Sequence, residues 1–177
     1  MLERINIAIV IRDHFRTFYN YRERIHNSDR RRLNMFEIIV QLFVPAAVAI
    51  ALWRAGVTLP ESSLGTLITA LAVFGALLFN LLILVYDVAG RPIGAVLDEV
   101  RNARKWTLQD LHSNVAFAVL LTLLSIVDLV LAAVGEKGSI VQPTSLAFFY
   151  LGSLFVLTLL LILRRMHMLL SSDIARR

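Results

Sequence analysis

Five arginines crowd one short stretch near the start of the chain: Arg22, Arg24, Arg30, Arg31 and Arg32. Phe15, Phe18, Tyr19 and Tyr21 lie just ahead of them, and lysine is absent from residues 1–35. A guanidinium fork matches a phosphate through paired hydrogen bonds, and an aromatic face stacks on a nucleobase. The stretch could therefore hold a phosphorylated ligand of the oligonucleotide type. The same charge would also suit anionic lipid headgroups, or serve only to fix topology. Both readings stay open.

Asp128 offers a second chemistry. It is the single charge in Ser113–Val134, with Ser125 and Thr122 three and six residues before it. A carboxylate in a hydrocarbon layer costs about 3 kcal/mol unless it is protonated, paired or hydrated. It is either an ion-handling group on a conduction path or a helix-packing residue. Catalysis has no comparable foothold. His14, His26, His112 and His167 lack metal-ligand spacing and are expected to be solvated bystanders. With no cysteine there is no disulfide, thiolate site or thiol nucleophile, and no glycine-rich phosphate loop or nucleophile elbow occurs. The chain reads as a non-enzyme without cofactor or metal.

These residues must be positioned by apolar helices. Leu64–Tyr86 and Thr144–Leu163 carry no charge over 23 and 20 residues, and Ser113–Val134 adds a third run of 22. Runs of about 18 or more such residues span a hydrocarbon core of about 30 Å as a helix. Ile38–Trp53 is shorter at 16, but Glu37 and Arg54 at its ends can snorkel to the interfaces. The fold class is an all-α membrane protein with spans near 36–55, 64–86, 113–134 and 144–163.

Charge sets the orientation. Sixteen of the 18 basic residues lie in 1–35, in the link 87–112 and in the tail 164–177; only Arg54 and Lys137 fall in the other two loops. Basic loops stay in the cytoplasm, so both termini and the central link are expected there. The N-terminus lacks the apolar core and cleavage site of a signal peptide. Size and plainness fit a bacterial inner membrane.

Ile7, Ile11, Phe15, Phe18 and Ile25 predict an amphipathic N-terminal helix, although the alternation of Ile5, Ile7, Ile9 and Ile11 would also suit a strand. Asn27-Ser28-Asp29 marks a break, Pro45 a kink in the first span, and Gly56 its end. Ile93–Lys105 reads as an amphipathic cytoplasmic helix, and Thr107 with Asp110 as the cap of a separate third span. Inside the spans, Glu37, Gln41, Pro45 and Ala49 form a row facing the bundle interior or a pore mouth. Gly65, Thr69, Ala72, Ala76, Asn80 and Asp87 form a stripe of small and polar residues, suited to a tight helix contact or to lining a conduit. The fourth span, nearly all large aliphatics over Leu154–Leu163 apart from Thr158, is expected to face lipid.

In its size, its four spans and the Arg-rich stretch Tyr21–Arg32, the chain resembles the small transmembrane effectors of bacterial antiphage systems, above all those of Hailong-type defence. The resemblance implies an oligomeric, channel-like assembly switched by an oligonucleotide from a partner nucleotidyltransferase. Its activation would permeabilise the inner membrane. No functional residue carries over from it. The expected function is thus a homo-oligomeric channel-like effector, gated from the cytoplasm by an anionic ligand. The alternative is a non-conducting membrane scaffold that anchors a cytoplasmic partner.

Overall fold

The computed structural model describes residues 7–18, 35–90, 98–134 and 141–174. Five helices make up nearly all of them: α1 (Ile7–Arg16), α2 (Met35–Arg54), α3 (Glu61–Gly90), α4 (Asp98–Val134) and α5 (Val141–Ile174). Four carry segments long and apolar enough to cross a membrane: Phe36–Arg54, Glu61–Gly90, Lys105–Val134 and Pro143–Met168. The protein is an all-α, multi-pass membrane protein. Within the N-terminal segment, Ile7–Arg16 is a helix rather than a strand.

α4 and α5 form the centre. α3 packs on α4, α4 on α5, and α2 on α5, while α1 lies against α4. The spans therefore stand in the order first, fourth, third, second. Among the described residues, α2 and α3 share no interface of comparable extent. This corrects the lipid-facing assignment of the fourth span for one of its faces: Leu154, Phe155, Thr158 and Ile162 are buried, while Val156, Leu160 and Leu163 stay exposed. Lipid tails and helix interfaces are equally apolar, so a run of aliphatics does not distinguish them.

The inward face of α2 is the row expected from sequence. Gln41, Pro45 and Ala49 are buried and Glu37 is half-buried, so the row belongs to the bundle interior. α2 continues through Pro45 and ends in a Schellman turn. Gly56 adopts a φ of 71°, its N–H bonds Trp53 O at 3.0 Å, and Val57 N–H bonds Leu52 O at 3.0 Å. Only glycine takes that φ without strain, which is why the helix stops there. The following loop is tied to α5 by Leu59 N–H, which donates to Ser145 Oγ at 3.1 Å.

α3 meets α4 through Leu64, Leu78 and Val85, with Leu71 half-buried between them. The spacing of seven is that of a helix–helix seam. Gly75 lies on this seam, where an added Cβ would come within 3.3 Å of Thr122 Oγ1. A second correction concerns α4. No cap interrupts it at Thr107; it is one helix from Asp98 to Val134. The sequence Asp98–Val134 contains neither Gly nor Pro, so nothing breaks the backbone ladder there. Asp110 turns to other work.

Candidate functional site: a buried polar cluster beneath α1

Residues from three different elements meet at one end of the spans. α1 turns Val10 and His14 toward α4, and the turn that follows it adds Thr17, in the four- and three-residue steps of one helical face. α4 presents Asp110, Asn114 and Phe117 at the same steps, and α5 contributes Arg165 from its last turns. His14 and Asn114 are fully buried. The His14 ring stacks on Phe117 with centroids 3.9 Å apart and planes at 14°, and takes the Phe18 ring edge-on at 5.3 Å.

Arg165 is the hub. Its guanidinium donates to Thr17 O at 2.9 Å and stands 3.6 Å from the Asp110 carboxylate. A guanidinium can only donate, so the Asn114 amide must turn its oxygen toward it. That oxygen then accepts from Arg165 Nη1 at 2.9 Å and Nε at 3.3 Å, and the Asn114 nitrogen donates to His14 Nδ1 at 2.9 Å and Thr17 Oγ1 at 3.2 Å. The Thr17 hydroxyl donates onward to His14 O at 2.7 Å. This orientation leaves His14 neutral with its proton on Nε2. That atom is buried and has no partner among the described residues. The cluster closes α1 onto two spans, with a cation at the carboxyl end of α1, where the helix dipole favours it.

The cluster corrects the reading of His14 as a solvated bystander; His112 and His167 are exposed as expected. Burial, together with the charge of Arg165, pulls the His14 pKa down from 6.5 to about 4. A freed α1 would recover the ordinary value. Between these two pH values only the undocked state takes up a proton. Docking is therefore at full strength above pH 6.5 and weakens as pH falls toward 4, by about 3 kcal/mol in total. Hydrogen exchange of α1, corrected for intrinsic rates, should speed up between about pH 7 and 5. His14→Gln should flatten that dependence, and a dependence that survives the substitution would assign it to another group.

The other sequence candidates are dispersed. Gln41 Nε2 donates to Thr158 Oγ1 at 3.1 Å, and Glu37 pairs loosely with Arg164 at 3.7 Å, both between α2 and α5. Thr122 and Ser125 are buried in the packed interior, with Thr122 Oγ1 bonded to Val119 O at 2.7 Å. Asp128 is half-buried, and its Oδ2 is enclosed without a hydrogen-bond partner among the described residues. Asn80 is exposed, as are Gly65, Thr69, Ala72, Ala76 and Asp87. From Gly65 to Asn80 the small-and-polar stripe of α3 thus faces away from the other described helices. Arg22, Arg24, Arg30, Arg31 and Arg32 lie outside the described residues.

Sequence reasoning missed His14, Thr17, Asp110, Asn114 and Arg165 as a group. The available signal was the four-residue step from Asp110 to Asn114 where the charge-free part of α4 begins, matched by the three-residue step from His14 to Thr17. Among the described residues no His/Asp/Glu group could hold a metal ion. No protein-family model, no curated protein and no solved structure matches the chain.

Proposed function

We propose that the protein is the protomer of a homo-oligomeric, channel-like effector of the bacterial inner membrane, with its α1 end in the cytoplasm. The observation that carries this reading is the outward stripe of α3. Thr69 satisfies its hydroxyl on Gly65 O at 2.9 Å, but the Asn80 side chain has no hydrogen bond among the described residues. By helical rise Asn80 lies about 8 Å from the middle of its span, well inside a hydrocarbon layer of about 30 Å. An amide facing lipid there is costly, whereas a second copy or a water-filled path between copies would satisfy it. Small residues at Gly65, Ala72 and Ala76 permit that close approach.

Gating in this reading starts from the arginine stretch that follows α1. An anionic ligand, of the oligonucleotide type, docks on Arg22, Arg24 and Arg30–Arg32 and pulls on the polar cluster. The assignment to antiphage defence rests on the architectural resemblance alone, and a nucleotidyltransferase would be the source of the ligand.

The chain has no native cysteine, so single-cysteine variants give a direct test. Ala76→Cys should yield disulfide-linked dimers in native membranes, because the Cα atoms must come within about 7 Å. Leu131→Cys, on an exposed face of α4, should not. Liposomes bearing the protein should pass ions, and Asn80→Leu should reduce that flux severalfold. Arg22→Lys with Arg24→Lys should lose the response to ligand, since lysine keeps charge but not the fork. Cross-linking without flux would leave a non-conducting scaffold. No cross-linking at Ala76 would sink the oligomer.

A further inference from the structure

A cleft of about 240 Å³ opens beside the polar cluster, between α1, α2 and α5. Phe18 forms one wall, Phe36 and Val40 of α2 a second, and Leu157, Leu160 and Leu161 of α5 the third. Among the described residues, the charged side chains on it are Glu37 and Arg164. Gln41 also reaches it, but its amide nitrogen is engaged with Thr158. The cleft is therefore greasy along its length and charged at one end.

Its position decides what can fill it. Val40 and Leu157 lie within the membrane-crossing segments Phe36–Arg54 and Pro143–Met168, while Arg164 and Glu37 sit at the end nearest α1. Acyl chains are the surrounding fluid at that depth. The volume accommodates about eight groups of water or methylene size, a good part of one chain. At the charged end, Arg164 and Glu37 are 3.7 Å apart with side chains 67% and 35% exposed. A pair so long and so exposed contributes at most about 1 kcal/mol. A phosphate diester could draw Arg164 away with a bidentate, charge-assisted contact that is stronger. The neighbouring Arg165 is committed to the polar cluster, so the two adjacent arginines divide their roles, one facing in and one facing out.

We infer that this cleft is a binding site for an anionic glycerophospholipid of the leaflet at the α1 end, with one acyl chain between α2 and α5 and its phosphate on Arg164. Phe18 follows Thr17 directly, so a filled cleft also braces α1 in its docked position.

The test uses the full chain with Trp53→Phe and Trp106→Phe, and Phe36→Trp as the reporter at the cleft. The protein is placed in phosphatidylcholine vesicles containing equal fractions of brominated phosphatidylglycerol or brominated phosphatidylcholine. Phosphatidylglycerol should quench with about fivefold higher relative affinity, the effect of roughly one near-surface cation. Arg164→Gln should abolish the preference while both lipids still quench. Glycerol 3-phosphate in solution should not displace the lipid. Equal quenching by the two lipids, a preference that survives Arg164→Gln, or displacement by glycerol 3-phosphate would each overturn the site. Native mass spectrometry of the unmodified chain gives a reading free of the tryptophan changes, with phosphatidylglycerol retained over phosphatidylcholine. Equal retention there overturns the site as well. None of these measurements depends on whether the protein conducts.

Discussion

Replacing Asn114 by leucine is expected to detach α1 from the spans. The amide serves three partners at once: His14 Nδ1, Thr17 Oγ1 and the guanidinium of Arg165. Leucine keeps the branched shape, though with a larger volume, and leaves buried His14 Nδ1 without a partner, while Thr17 Oγ1 keeps only its bond to His14 O. Each stranded neutral group costs about 1–3 kcal/mol, and a buried charge stripped of partners costs more. Arg165 keeps Asp110 at 3.6 Å and Thr17 O at 2.9 Å, so the loss is large without being total. The ten residues of α1 cannot hold a helix alone in water. Amide exchange over residues 7–18 should therefore accelerate about a hundredfold, while the spans keep their protection. Arg165→Leu should act alike, and the double variant should fall short of the sum, because the two remove one shared network. Unchanged exchange in Asn114→Leu would mean that apolar packing alone seats α1. Under the proposed function, release of α1 should also uncouple flux from ligand.

The second large effect is expected at Gly75. A Cβ there would come within 3.3 Å of Thr122 Oγ1 and 3.8 Å of Thr122 Cβ. Gly75→Leu must push α3 off α4 and loosen the seam that buries Leu78 and Val85. Overpacking of this kind costs about 1–3 kcal/mol and sometimes more. The melting temperature in detergent and the yield should both drop. Gly75→Ala should be milder, and Thr122→Ala should rescue it by removing the hydroxyl that the new methyl meets. That hydroxyl bonds only within its own helix, to Val119 O, so its removal strands no group on α3. An undiminished melting temperature in Gly75→Leu would refute this contact.

The spans themselves were legible because a charge-free run of sufficient length has one inexpensive conformation in lipid, a helix with every backbone group bonded. Gly56 announced its helix end through the φ that only glycine takes easily. The neighbours of each span were not legible. Composition marks the polar faces, and Gln41 does face inward on α2, yet the Leu154–Leu163 stretch of α5 is nearly all large aliphatics and reads as lipid-facing although one side of it packs inward. Thr158 was its one clue, and its partner Gln41 lies 117 positions away. The polar cluster was hidden for a related reason. His14 and Arg165 sit among basic residues that look like topogenic charge, and only the fold separates Arg165, with its side chain 11% exposed, from Arg164 beside it at 67%.

α4 is 37 residues long and contains neither Gly nor Pro, which makes it a rod of about 55 Å. α1 grips that rod at Asn114, and Asp128 lies fourteen residues further along nearly the same face, about 21 Å away. The pair is thus the handle and the tip of a lever. A tilt of about 5° pivoted at the handle would swing the carboxylate sideways by about 2 Å, by the same helical rise. A shift of that contact, only a few side chains wide and at one surface of the bilayer, would thus be carried to a carboxyl group in the opposite leaflet.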